Sequence, residues 1–118
     1  MNGQLYVRED AVPGDEYFIG ADVSTGRAKD YSTFSIMNQD GREVAFFKGK
    51  VSPSRLARLL GEYGMKYNRA MVGNESNDIG LATTEKLQAD GYPNLYYSRK
   101  VLRKKGESRK QVELIPGW

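Results

Sequence analysis

Apolar positions along the chain occur in short runs first and in helix-like repeats afterwards, and this order predicts an α/β domain. Segments 17–22, 31–37 and 43–49 are apolar-rich, bounded by turn residues and of strand length. The Asp40-Gly41 pair between the second and third segments is a strong signal for a β-hairpin. We therefore expect the domain to open with three antiparallel strands in consecutive order.

Two helical patterns follow, with a short strand between them. The first begins with a serine cap and a proline at 52–53, and its apolar residues recur at i, i+3, i+4 and i+7 from Leu56. The apolar run 70–75 predicts a fourth strand, and 79–90 predicts a second helix that ends at Gly91. Because β-α-β connections are right-handed and make their strands parallel, the predicted sheet is mixed.

The two ends of the chain have weaker patterns. Segment 94–97 predicts a fifth strand, and 100–115 predicts a long basic β-hairpin or a loop. Residues 1–16 are polar and contain a turn signal, so we interpret them as a linker or an appended tail. The predicted domain therefore covers 17–118, with three antiparallel strands followed by an α-β-α-β order.

The chain contains no cysteine and no histidine. Disulfide frameworks, thiolate zinc sites and histidine-dependent nucleophilic catalysis are therefore excluded. A bound metal ion would be held by oxygen ligands, which favours Mg²⁺, Mn²⁺ or Ca²⁺. No segment reaches transmembrane length and the N-terminus has no signal-peptide apolar region, so we expect a cytoplasmic protein with no membrane partner.

Positive charge is concentrated near the C-terminus. The net charge is +3, but segment 99–110 contains seven of the 18 basic residues and only one of the 15 acidic residues. Such a block suits a polyanion partner such as nucleic acid, and a solvated loop is the alternative. The candidate contacts to the DNA backbone are Arg99, Lys100, Arg103, Lys104 and Lys105.

Two of the predicted strands end in an acid, Asp22 and Glu75. If these strands are neighbours, the two carboxylates lie side by side and repel each other unless a cation lies between them. Asp30 opens the second strand and would lie near Asp22 in an antiparallel pair. Three convergent carboxylates would form a hard-cation site, whereas turn capping is the alternative for each acid. Asn74 and Asn77 flank Glu75 and are candidate contacts to a DNA phosphate.

A family resemblance is carried by two segments, GADVSTGRAKDYSTFSI and KYNRAMVGNESNDIGLATTEKLQADGYPNLYY, and by the terminal PGW. They resemble the nuclease domain of the large terminase subunit of tailed bacteriophages, over roughly 17–118. The most specific pieces are the paired Asp-Val-Ser and Asp-Tyr-Ser, the Glu-Ser-Asn element and Gly-Tyr-Pro-Asn-Leu-Tyr. The resemblance implies a ribonuclease H-like fold and cleavage of double-stranded DNA during genome packaging, with Mg²⁺ or Mn²⁺ as cofactor and two ions in the complete domain.

The resemblance also implies roles for single residues. Asp22 matches the first catalytic acid, Glu75 the second, and Asp30 an additional acid close to the metal ions. The family has a third essential acid on a later helix, whereas this sequence ends at Trp118. We therefore expect a C-terminally incomplete domain with weak or absent nuclease activity, weaker metal affinity and self-association through an uncovered apolar face.

The partners implied for the full-length protein are double-stranded DNA, an ATPase motor domain, the portal protein and the small terminase subunit, in the cytoplasm of the bacterial host. The sequence contains no GxxxxGK[ST] phosphate loop of its own. Two alternatives remain open. One is another ribonuclease H-like nuclease such as a junction resolvase, against which the Gly-Tyr-Pro-Asn-Leu-Tyr element argues. The other is a non-catalytic basic DNA-binding module whose acids are structural.

Overall fold

The computed structural model describes residues 3–24, 30–74, 78–102 and 111–116, of which 78–79, 97–102 and 111–116 are described by their backbone alone. The described elements are, in chain order, β1 Gly3–Val7, β2 Tyr17–Asp22, β3 Ser32–Asn38, β4 Glu43–Gly49, α1 Pro53–Lys66, β5 Met71–Asn74, α2 Asp78–Ala89, β6 Tyr97–Leu102 and β7 Gln111–Pro116.

Five of the strands form a mixed sheet in the order β1-β4-β3-β2-β5. Strands β2, β3 and β4 are the predicted antiparallel meander, and β5 runs parallel to β2 after the crossover through α1. Strands β6 and β7 pair antiparallel in a separate two-stranded sheet. The predicted mixed α/β fold is confirmed, and so is the C-terminal hairpin.

The core lies between the sheet and the two helices. Phe34 of β3 and Phe47 of β4 are fully buried cross-strand partners, and their rings stack with centroids 5.0 Å apart. Leu56 and Leu60, on the apolar face of α1, belong to the same buried cluster. The side chains that alternate with these residues along the strands lie on the opposite face of the sheet, which we call the open face.

Helix α1 begins as its sequence predicts. The Ser52 hydroxyl accepts a hydrogen bond from the Arg55 backbone N–H at 3.1 Å, and Pro53 occupies the first turn. The last residue of the helix is Lys66, and Tyr67 is its C-cap. The start of the helix is determined by neighbouring residues, because the capping serine and the proline are adjacent in the sequence.

The structure differs from the prediction at both ends of the chain. Gly3–Val7, within the segment interpreted as a tail, forms the edge strand β1 on β4. Gly3 fits there because it has no side chain: a Cβ atom would lie 2.6 Å from the Phe47 ring. The predicted strand at 94–97 is reduced to one parallel bridge between Leu95 and Val72, because from Tyr97 onwards the chain pairs in the hairpin instead.

Two glycines of α1 are expected to respond oppositely to alanine. A Cβ at Gly64 would lie 2.1 Å from the Tyr92 hydroxyl oxygen, whereas one at Gly61 would make ordinary contacts of 3.7 Å or more. The Tyr92 hydroxyl donates a hydrogen bond to the Ala70 carbonyl, which holds the ring beside α1. Burial raises the pKa of Tyr92 to about 12.

We expect Gly64→Ala to lower the free energy of unfolding by about 1–3 kcal/mol through overpacking. Gly61→Ala is expected to raise it by about 0.5–1 kcal/mol, because alanine is the better helix former. Urea unfolding of the two variants measures both effects. If both substitutions change the free energy of unfolding in the same direction, the packing of Tyr92 against α1 is contradicted.

Candidate functional site

The open face carries a polar row of side chains at the end of the sheet where β2 terminates. Asp22 pairs with Thr33 of β3, Thr33 pairs with Lys48 of β4, and Lys48 pairs with Gln4 of β1. Asp22, Lys48 and Gln4 are exposed, and Thr33 is half-buried. This polar row brings one carboxylate, one hydroxyl and one ammonium group onto a single line across four strands.

Asp22 is placed by β2, an interior strand of the sheet between β3 and β5. It is the last residue of β2, and the preceding Ala21 pairs with Asn74, the last residue of β5. The parallel direction predicted for these two strands is therefore confirmed, and the condition that they are neighbours in the sheet is met. Glu75 follows Asn74 in the sequence but lies outside the described residues, as does Asn77. That Glu75 lies close to Asp22 stays a prediction.

Asp30 is exposed and lies two residues before β3. Within 3–24, 30–74 and the other described ranges, no group of three acidic, histidine or cysteine residues is close enough to hold a metal ion. Among the described residues, Asp22 is therefore the carboxylate that lies at the end of β2. The three-acid site stays a prediction, because one of its members is not described.

The candidate DNA contacts fall on or beside the C-terminal hairpin. Arg99 and Lys100 belong to β6, whose backbone pairs with β7, and Lys100 is opposite Glu113 in the register. The other three candidates, Arg103, Lys104 and Lys105, lie outside the described residues. Their role in binding DNA stays a prediction.

Two serines hold the ends of the segment between Asp22 and β3 together. The Ser24 backbone N–H donates to the Ser32 hydroxyl oxygen at 2.8 Å, and the two hydroxyl oxygens are 3.3 Å apart. Ser32 is fully buried and Ser24 is half-buried. Neither serine was predicted to have this role, although the repeated Asp-x-Ser pattern contains both.

Asn74 has a structural role rather than the DNA-contacting role considered for it. Its side chain is 1% exposed; Nδ2 donates to the Gly80 carbonyl at 2.7 Å, and Oδ1 accepts from the Thr84 hydroxyl at 2.9 Å. Both partners lie in α2, so the amide joins the end of β5 to the helix. A buried amide engaged in this way is not available to a phosphate.

The opposite end of the open face is apolar. Phe18 pairs with Met37 on one side and with Met71 on the other, and Phe18 and Met37 are 39% and 37% exposed. Tyr96 lies in the same shallow depression. Self-association through an uncovered apolar face was predicted without naming its residues, and it stays a prediction. None of the described helices is long and apolar enough to cross a membrane.

No protein-family model matches the sequence, and no curated protein matches it either. Solved structures do match. The five-stranded mixed sheet with two helices is the ribonuclease H-like fold of phage large-terminase nucleases, which confirms the resemblance found in the sequence.

The matching structures include the large terminase nuclease of thermophilic phage G20c with bound magnesium, at 29% identity and a TM-score of 0.66, over 76% of this chain and 48% of that chain. The same nuclease with bound zinc matches at 29% identity and a TM-score of 0.65, over 76% and 52%. The Thermus phage P74-26 large terminase nuclease domain matches at 30% identity and a TM-score of 0.61, over 75% and 45%. This chain therefore spans about half the length of the structures it matches.

Proposed function

We propose that this chain is a divalent-metal-dependent endonuclease domain of a phage large terminase subunit, which cuts double-stranded DNA during genome packaging. The observation that carries the proposal is the position of Asp22, exposed at the end of β2 beside the parallel strand β5. The similarity to terminase nucleases, at 29–30% identity over about three quarters of the chain, supports the reaction class. For the present chain we expect weak or no activity.

The donor chemistry of the proposed site fits Mg²⁺ or Mn²⁺. With no histidine or cysteine in the chain, its strong ligands are carboxylates, and hard cations prefer oxygen. We propose Asp22, Glu75 and Asp30 as the ligands; the side chains of Asp22 and Asp30 are described and both are exposed. When bound, one or two such ions would activate water and stabilise charge on the scissile phosphate.

The protein's own residues position this chemistry. Strand β2 fixes the backbone of Asp22, and the contact between Ser24 and Ser32 holds the segment that follows it. The Asn74 amide fixes the junction of β5 and α2, next to Glu75 in the sequence. No side-chain nucleophile is required, because the attacking group is water.

The partners follow from the same proposal. Double-stranded DNA is the substrate, contacted by the basic residues of 99–105. In the full-length protein we propose an ATPase motor domain, the portal protein and the small terminase subunit as partners, in the cytoplasm of the bacterial host.

A non-catalytic DNA-binding module is the second candidate. It would bind DNA through the basic segment 99–110, which contains seven of the 18 basic residues and only one of the 15 acidic residues. In that case Asp22 would be structural, and its replacement would change stability rather than metal binding.

A Mn²⁺ titration followed by amide NMR broadening separates the two candidates without requiring turnover. We expect broadening centred on Asp22 and Thr33, and at least a tenfold loss of Mn²⁺ affinity in Asp22→Asn, about 1.4 kcal/mol. Because Asp22 is exposed, its variant should unfold within about 0.5 kcal/mol of the parent chain.

The matched control is Asp40→Asn, which removes an exposed carboxylate in the turn between β3 and β4. This variant should keep the broadening around Asp22. Diffuse broadening, or broadening that Asp22→Asn leaves unchanged, would overturn the proposed metal site.

A further inference from the structure

Two ammonium groups converge on one aromatic ring beside the polar row of the open face. Lys48 Nζ lies 4.7 Å from the centroid of the Tyr31 ring, and Lys50 Nζ lies 5.0 Å from it. The ring is 46% exposed, so the cluster faces solvent. Cation–π contacts at exposed sites contribute only about 0.5–1 kcal/mol each, which is enough to orient a lysine without neutralising it.

The two positive charges have no acidic partner in the described part of the chain. There, salt bridges join Arg42 to Glu9, Lys66 to Glu62 and Lys86 to Asp90, while Lys48 and Lys50 make none. Two neighbouring cations without a counter-ion create a positive potential that attracts an anion.

The surface around these lysines has the shape of a shallow trough. A depression of about 620 Å³ is lined by Tyr6, Phe46 and Lys48 together with Tyr31. Tyr6 and Phe46 are cross-strand partners on β1 and β4, and Tyr6 is 55% exposed. Aromatic side chains beside lysines suit a backbone that alternates deoxyribose rings with phosphates.

The trough is aligned with the proposed metal site. Asp22 and Lys48 are separated by one strand, through Thr33, so their backbones lie about 10 Å apart at the usual strand spacing of about 4.8 Å. Consecutive phosphates of one DNA strand are about twice the 3.4 Å axial rise apart, because the backbone winds around the helix axis. A phosphate on the lysines would therefore lie about one or two nucleotides from one at Asp22.

We propose that Lys48, Lys50 and Tyr31 form a phosphate-binding subsite for the backbone of duplex DNA, about one or two nucleotides from the scissile phosphate. The distance between the subsite and the scissile phosphate rests on the proposed nuclease function. The binding of DNA by the subsite does not depend on that function. The subsite is separate in sequence from the basic segment 99–110, and it reads phosphate positions rather than base sequence.

The test is fluorescence anisotropy with a short labelled DNA duplex, in EDTA, between about 50 and 200 mM salt. The double variant Lys48→Ala/Lys50→Ala is compared with Lys66→Ala/Lys86→Ala. The control removes the same charge from the two helices, whose lysines lie outside the open face.

We expect the first double variant to bind DNA at least tenfold more weakly at the lowest salt. Its slope of log affinity against log salt should decrease in magnitude by about 1.8, the value for two lost phosphate contacts. The control should lose less than about threefold. Tyr31→Phe keeps the ring and should bind like the parent chain.

Equal losses of DNA affinity in the two double variants would show a general effect of net charge and would overturn the subsite. Unchanged DNA affinity in Lys48→Ala/Lys50→Ala would also overturn it. The NMR titration with Mn²⁺ fails or succeeds independently of this result. Loss of DNA binding in the lysine variant with no metal binding at Asp22 would retain the subsite and reject the nuclease site.

Discussion

Replacing Phe47 by alanine is expected to lower the free energy of unfolding by about 3–5 kcal/mol. Phe47 is fully buried, and its ring stacks on Phe34 with an interplanar angle of 16°. The substitution removes the transfer energy of the ring and leaves a cavity between the sheet and α1. Since small domains have total stabilities of about 5–15 kcal/mol, the loss is a large fraction of the whole.

Phe46 provides the matched control, because it is the adjacent residue on the same strand and points to the open face. It is half-buried, so Phe46→Ala is expected to cost about 1 kcal/mol. Urea unfolding of the two variants tests the register of β4, since a slip by one residue would exchange the two faces. A larger loss for Phe46→Ala than for Phe47→Ala would contradict the register.

Replacing Asn74 by alanine is expected to cost about 2–3 kcal/mol. The change removes two hydrogen bonds to α2, leaves the space of the amide empty and takes a partner from the buried Thr84 hydroxyl. Thermal or urea unfolding measures the loss.

Asn94→Ala is the control for the same chemical change. Asn94 is half-buried, and its Nδ2 makes one hydrogen bond, to the Arg69 carbonyl at 3.0 Å, so its replacement should cost about 1 kcal/mol or less. If Asn74→Ala unfolds no more easily than Asn94→Ala, the amide does not join β5 to α2 as described.

The features that the sequence predicted well are those with local causes. The cap of α1 at Ser52, the turn at Asp40-Gly41 and the apolar run of β2 each depend on neighbouring residues. The edge strand Gly3–Val7 was missed because its partner is β4, about forty residues later, and its own pattern is weak. Pairing at that distance is decided by the sheet and not by the strand's own sequence.

The same distinction between local and long-range causes applies to the residues of the candidate site. Asp22 at the end of a buried strand was predictable, and so was its position beside the parallel strand. The structural role of Asn74 was not, because it depends on Gly80 and Thr84 being brought close by α2. The convergence of Lys48 and Lys50 on Tyr31 was also hidden, since it arises from the pairing of β3 with β4.

Whether Asp22 belongs to a metal-dependent site that cuts double-stranded DNA can be measured by the nicking of supercoiled plasmid DNA by excess protein. The reaction is run with Mn²⁺ and with EDTA, for the parent chain, Asp22→Asn and Asp40→Asn. We expect slow nicking that requires Mn²⁺, is lost in Asp22→Asn and persists in Asp40→Asn. Nicking that survives in Asp22→Asn or in EDTA would contradict this assignment, and so would a parent chain that neither nicks DNA nor binds Mn²⁺ at Asp22.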